Sequence, residues 1–103
     1  MKNVGLLILL SLMPVAGYSF STAELQVYCT SQAEEKVCHG YVSGVVDASL
    51  SASFCPQAPL WPARYDEFTA IAKKYIAAHP ELGTYLAVDV VRKALREAYP
   101  CHK

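Results

Sequence analysis

Residues 64–100, RYDEFTAIAKKYIAAHPELGTYLAVDVVRKALREAYP, hold two helical patterns separated by a proline stop, and this hairpin decides the fold class. From about Arg64 to Ala78, Phe68, Ile71, Ala72, Tyr75 and Ile76 recur at helical spacing, with Lys73 and Lys74 on the opposite side. Asp66 and Glu67 are placed in the first turn, where acidic groups suit the helix dipole. Pro80 stops this helix, because the residue before a proline is pushed out of the helical region. From about Thr84 to Ala98, Ala87, Val90, Val91, Ala94, Leu95 and Ala98 form an inward stripe, and Asp89, Arg92, Lys93, Arg96 and Glu97 face out. Pro100 ends that helix.

The same reading extends toward the N-terminus. Residues 22–29 allow about two helical turns, with Leu25 and Tyr28 or Cys29 on one face. Ser31-Gln-Ala-Glu34 matches a capping box, and a long helix is expected from about Gln32 to Ala52. Its buried stripe is read as Val37, Tyr41, Val45, Ala48 and Ala52. Three prolines prevent Cys55-Pro-Gln-Ala-Pro-Leu-Trp-Pro62 from being helical throughout. No strand-like alternation, hairpin turn or repeat appears. Short connections between helices imply antiparallel neighbours, so the expected fold is an all-α, up-and-down bundle of about four helices.

The first residues read as a secretory signal. Lys2 is followed by a mostly apolar run, Val4 to Val15, and then by small residues at Ala16, Gly17, Ser19 and Ser21. The run falls short of the roughly 20 residues of a membrane span. Cleavage is expected between about 17 and 21, after Gly17, Ser19 or Ser21, leaving one domain over residues 22–103 and no later membrane-crossing segment. The chain has nine basic and nine acidic side chains; loss of Lys2 leaves the mature domain at about −1. With no basic stripe there is nothing to neutralise phosphates or to lie on an anionic membrane, which argues against nucleic acid and membrane partners.

A domain this small usually needs a covalent staple, and four cysteines in an exported chain supply one. Cys38 and Cys55 bracket most of the second helix. At about 1.5 Å per residue they stand roughly 25 Å apart, whereas a disulfide requires alpha carbons within about 7 Å. That removes the 38–55 pairing, and 29–101 with it. Cys29 and Cys38 flank the Ser31 turn at one end of the bundle. The fourth helix returns Cys101 to the end where Cys55 lies. The expected bridges are therefore Cys29–Cys38 and Cys55–Cys101.

Few residues suggest chemistry. Cys38-His39 with Cys101-His102 could ligate zinc, but the spacings are not those of a finger and export favours disulfides. There is no Cys-x-x-Cys redox pair, paired carboxylates, serine elbow or phosphate loop, and no cofactor is implied. His79 before Pro80 reads as a helix-end cap rather than a catalyst. Gly40, Gly44 and Ala48 share a ridge, which implies either close internal packing against the fourth helix or a surface for self-association or a partner. Asp47 is expected to be partly buried, capping a loop or pairing with a basic residue of the fourth helix. Trp61, the single tryptophan, sits with Leu60 and Arg64 on the proline-rich segment. The three are either a lid on the bundle end or a contact surface, since Trp and Arg are favoured at interfaces.

These residues also carry a family resemblance. Cys38-His-Gly-Tyr-Val-Ser-Gly-Val-Val-Asp-Ala48 resembles the core motif of the Rap/Tai family of type VI secretion immunity proteins, through Gly40, Tyr41, Gly44, Asp47 and Ala48. Cys55-Pro56, Lys74-Tyr-Ile-Ala-Ala-His-Pro80 and Ala94-Leu-Arg-Glu-Ala-Tyr-Pro-Cys101 follow in the family's order, bringing in His79, Pro80 and Pro100. Tyr99 stands where phenylalanine is commoner. The resemblance implies a periplasmic helical protein, not an enzyme, that binds a cognate secreted peptidoglycan amidase and occludes its cleft. Some members act as dimers, so a homodimer is a further expectation. No family contact residue is carried over. Rival readings of an exported helical chain are a small acid-stress chaperone, a saposin-like lipid binder, which usually carries six cysteines, and another kind of envelope binding protein.

Overall fold

The structure, a computed structural model, describes residues 20–49, 54–56 and 60–101. Among them are four helices: α1, Thr22–Thr30; α2, Glu35–Ser49; α3, Pro62–Ala78; and α4, Ala87–Ala98. Single 3-10 turns, Gln32–Glu34 and Pro80–Leu82, precede α2 and follow α3. The described residues form no sheet; one isolated bridge joins Ser21 and Leu86. No described helix is long and apolar enough to cross a membrane.

Consecutive helices pack on one another, and α1 also touches α4, closing the bundle. Cross-helix bonds show the alternating directions. Tyr65 near the start of α3 reaches Asp47 near the end of α2, whereas Thr69 meets His39 near the start of α2. Glu67 near the start of α3 accepts from Tyr99 just past the end of α4, and Tyr75 donates to Glu97 in the last turn of α4. The core is Leu25, Cys29, Cys38, Val42, Val46, Phe54, Phe68, Ala72, Val91 and Leu95 with their neighbours. Each large apolar side chain so buried stabilises by about 1.5–3 kcal/mol.

The two disulfides are Cys29–Cys38 and Cys55–Cys101, each with alpha carbons 4.9 Å apart, and no cysteine is free. By the chain-entropy relation, their sequence separations of 9 and 46 correspond to about 2.6 and 4 kcal/mol.

Several expectations change. The α2 stripe is rotated. Cys38, Val42, Val45, Val46 and Ser49 are buried, whereas Val37 is 42% exposed, Tyr41 is half-buried and Ala48 is exposed. The cause is covalent: Cys38 must face Cys29 on α1, and every inward position follows from it at helical spacing. Ala52 and the expected end of this helix lie outside the described residues. The glycine ridge consequently points away from the bundle. A Cβ built at Gly40 or Gly44 would meet nothing within 4 Å, so internal close packing does not explain them.

The capping box is at Ser21, not Ser31. Ser21 Oγ accepts from the Glu24 amide at 3.1 Å, and Glu24 Oε1 accepts from the Ser21 amide at 3.0 Å. At Ser31 the 3-10 turn gives the Glu34 amide a backbone acceptor, the Ser31 carbonyl at 3.1 Å, leaving the side chain without a capping role. The fourth helix begins at Ala87 rather than Thr84 because the preceding turn serves α1. Carbonyls of Gly83 and Tyr85 accept from the Ala23 and Thr22 amides, two of the orphan donors of α1, and the Phe20 carbonyl accepts from Ala87. Gly83 sits where a Cβ would come within 3.3 Å of the Pro80 carbonyl. The third helix begins at Pro62, at the helix position that tolerates proline, so Asp66 and Glu67 fall beyond the first turn. Ala98 is exposed, and Tyr99 turns back onto Phe68 in its place.

The folded unit also includes Phe20, whose ring stacks on Tyr28 and Tyr41 at 5.5 and 5.4 Å. Ser21→Ala is therefore expected to destabilise the domain by about 1 kcal/mol, and Ser31→Ala by less than about 0.5 kcal/mol. Urea denaturation of both variants checks this; equal losses would contradict the assignment of the cap.

Candidate functional site

The side chains with chemical potential are engaged with one another. Both sulfurs considered for a zinc site belong to different disulfides, so no thiolate is left for a metal, and His102 lies outside the described residues. His39, Thr69 and Asp66 do converge: Nδ1 of His39 is 2.9 Å from Thr69 Oγ1 and 3.7 Å from Asp66. The hydroxyl of Thr69 donates to the Tyr65 carbonyl at 2.8 Å, so it accepts from His39. The threonine proton thus points away from the imidazole. One ring nitrogen faces both neighbours, which is not the relay a nucleophilic triad requires. The cluster lies beside an open groove of 680 Å³ between α2 and α3, lined by Gln32, Glu35, Lys36 and Lys73 among others. His79 closes α3: Nδ1 donates to the Tyr75 carbonyl at 2.8 Å, and its ring stacks on Tyr75 at 4.0 Å. That is a helix-end role, with Pro80 opening the next turn.

The most organised surface is the end of the bundle where α3 begins. Trp61 is the residue before α3, in extended backbone, and is 49% exposed. Leu60 is half-buried against the core and roots it. The Arg64 guanidinium lies 6.0 Å from the Trp61 ring, 5.4 Å from Phe68 and 5.8 Å from Tyr99. Its Nη2 donates to Glu67 Oε2 at 3.1 Å, and the Tyr99 hydroxyl donates to the same oxygen. Phe68 meets Tyr65 and Tyr99 edge-on, at 5.6 and 5.7 Å. The Tyr99 hydroxyl, and then Arg64, hold the Glu67 carboxyl below the ordinary carboxylate value. Burial, and then the bond to Glu67, push the Tyr99 phenol up.

Of the three residues singled out in the sequence, Trp61 is presented to solvent, Leu60 anchors it, and Arg64 is mostly covered. The Arg64 guanidinium lies over the Trp61 ring at the outer range of a cation–π contact. Sequence reasoning missed Glu67, Phe68 and Tyr99 as members of this cluster. The Arg64–Glu67 spacing of three was a readable signal; Tyr99 arrives from another helix and carried none.

The outward face of α2 is the second open surface. Gly40, Gly44, Asp47 and Ala48 are exposed on it, with Val37 and half-buried Tyr41 alongside. Asp47 pairs with a different helix than expected: it accepts from the Tyr65 hydroxyl of α3 at 2.6 Å. The basic residue that α4 does bring to α2, Arg92, donates to Ser49 Oγ at 3.0 Å.

The described residues thus form a small helical bundle with every cysteine paired and one half-exposed tryptophan beside a guanidinium. The family model of the Rap1a immunity proteins matches residues 21–101, and the chain belongs to that family. Membership implies immunity to a secreted toxin, exerted by binding the toxin protein and not by turnover of a substrate. No curated protein and no solved structure matches the chain.

The tyrosine–carboxylate pairs give a pH prediction. Tyr99, Tyr65 and Tyr75 all titrate above the usual tyrosine value: burial is the largest cause at Tyr99 and Tyr75, the bond to Asp47 at Tyr65. Stability from a raised phenol is fully present below the unfolded tyrosine value of about 10 and is lost as pH rises through the folded value. Glu67 has the opposite sign: its contribution holds above the unfolded carboxylate value and is lost as pH falls through the folded one. The urea midpoint is thus expected to fall as pH rises above about 10. Tyr99→Phe should soften the decline on both the alkaline and acid sides; an unchanged profile would contradict the pairing.

Proposed function

We propose that this protein is exported to the periplasm and there binds a cognate amidase delivered by type VI secretion, blocking the cleft with which that toxin cuts peptidoglycan peptides. The carrying observation is the immunity-family match over residues 21–101. The signal-like N-terminus and two disulfides support an oxidising destination. The Trp61 end supports inhibition by insertion. An indole half-exposed and already fixed by Arg64 and Leu60 loses little conformational freedom on entering a partner's cleft. Leu60, Trp61 and Arg64 are accordingly proposed as the contact centre, with Trp61 touching the toxin and Arg64 positioning it.

The test is co-expression in the periplasm with the amidase encoded beside this gene. The wild-type chain is expected to prevent lysis, and lysis as severe as in its absence would remove the proposal for that toxin. Trp61→Ala should weaken binding to the purified toxin by roughly 30-fold, the scale of a central interface hot spot. Arg64→Met should weaken it less while altering Trp61 emission.

Two finer points follow from packing. Cleavage of the signal upstream of Phe20, after Gly17 or Ser19, would preserve the Phe20 stacking and the Ser21 cap. The open Gly40–Gly44–Ala48 face suits self-association of two copies, because small residues let two backbones approach. Purified from the periplasm, the protein is expected to begin at or before Phe20 by intact mass and to be dimeric by light scattering. A chain beginning after Phe20 would overturn the first point, and a monomer at micromolar concentration the second.

A further inference from the structure

The two disulfides occupy opposite environments. Cys29 and Cys38 are 4% and 0% exposed and are part of the core, packed with Leu25 and Val42. Cys55 and Cys101 are both exposed. Thiol–disulfide exchange needs a thiolate to approach a sulfur in line with the bond, so access controls the rate. At the buried bridge, exchange must wait for local opening of the bundle. At the exposed bridge it need not.

What the exposed bridge holds is also distinct. It ties the segment after Tyr99 to the segment after Phe54. Beside it, the Cys55 amide donates to the Tyr99 carbonyl at 2.8 Å. Phe54 is fully buried and anchors its own segment independently of the sulfur bond. Tyr99 in turn bonds Glu67 and lies under Arg64, whose guanidinium also lies over Trp61. A continuous set of contacts therefore runs from the cystine through Tyr99 and Arg64 to the single tryptophan of the chain. The core staple at the other end of α2 has no part in it.

We infer that Cys55–Cys101 is a site of selective exchange with a dithiol, and that opening it loosens the Tyr99–Arg64–Trp61 cluster while Cys29–Cys38 keeps the bundle folded. One thiolate of the dithiol attacks Sγ of Cys55 or Cys101. The S–S bond breaks, a mixed disulfide forms, and the other cysteine leaves as thiolate and is protonated. The second thiol of the dithiol then attacks the mixed disulfide. The dithiol departs oxidised to a cyclic disulfide, and two electrons remain on the protein as the Cys55 and Cys101 thiols.

The experiment treats the oxidised protein with graded dithiothreitol under native conditions, quenches by alkylation, and maps labelled cysteines by peptide mass spectrometry. Cys55 and Cys101 are expected to be labelled at least about tenfold faster than Cys29 and Cys38, reflecting the opening that the buried pair requires. Over the same interval, helical circular dichroism should persist and the Trp61 emission should shift. The Cys55→Ser/Cys101→Ser double variant should retain helical circular dichroism and show the emission of the singly reduced protein without reductant. Simultaneous labelling of all four cysteines, or earlier labelling of Cys29 and Cys38, would overturn the selectivity. Selective labelling with unaltered Trp61 emission would overturn the coupling to the cluster. Because the readouts require no toxin, the outcome is independent of whether the immunity reading holds.

Discussion

The Cys29–Cys38 bridge is the constraint on which the rest of the domain depends. A helix of 15 residues can present any of its faces to a core, and α2 is apolar enough on more than one side for hydrophobicity alone to leave the choice open. Joining Cys38 to Cys29 at a 4.9 Å alpha-carbon distance removes that freedom. Val42, Val45, Val46 and Ser49 then turn inward because they stand on the same side of the helix, and Gly40, Gly44 and Ala48 are carried outward. That bond, together with packing against α3 and α4, sets both the core layer between α1 and α3 and the face of α2 left open.

The opposite end is organised by charge and aromatic faces. Arg64 lies among three rings while hydrogen-bonding Glu67, and Glu67 also receives the Tyr99 hydroxyl. The consequence is preorganisation: the exposed indole of Trp61 stands in a position set before any partner arrives. A binding protein gains from this because ordering costs that are met during folding are not paid again on association. The two ends divide the work. One is a buried sulfur bridge that belongs to the core, and the other is a solvent-facing cluster beside an exposed sulfur bridge.

Much of the fold was legible locally. The helical pattern around Phe68, Ala72 and Ile76 and around Val90, Val91 and Leu95 reads correctly because each stripe faces a single core and repeats every three or four residues. The disulfide pairing was accessible because the length of the second helix separates Cys38 from Cys55 and the return of the fourth brings Cys101 to the end where Cys55 lies. The Ser31 motif misled because a capping box needs the following turn to be α-helical, and there it is 3-10. The start of α4 is set by Thr22 and Ala23, whose amides take their acceptors from a turn 60 or more residues away. Nothing near Thr84 could have announced that.

By itself the sequence indicated an all-helical chain, the sites of its proline stops, the expected pairing of its cysteines and its family, since helical period, proline positions, helix length and motif order are all written along the chain. Only the tertiary structure decided which face of α2 is buried, that Asp47 meets Tyr65 rather than α4, and that Arg64 lies among the Trp61, Phe68 and Tyr99 rings rather than in open solvent. Each depends on how one helix is rotated against another. That rotation is chosen by the joint packing of side chains from all four helices and the disulfide between the first two, which no local pattern encodes.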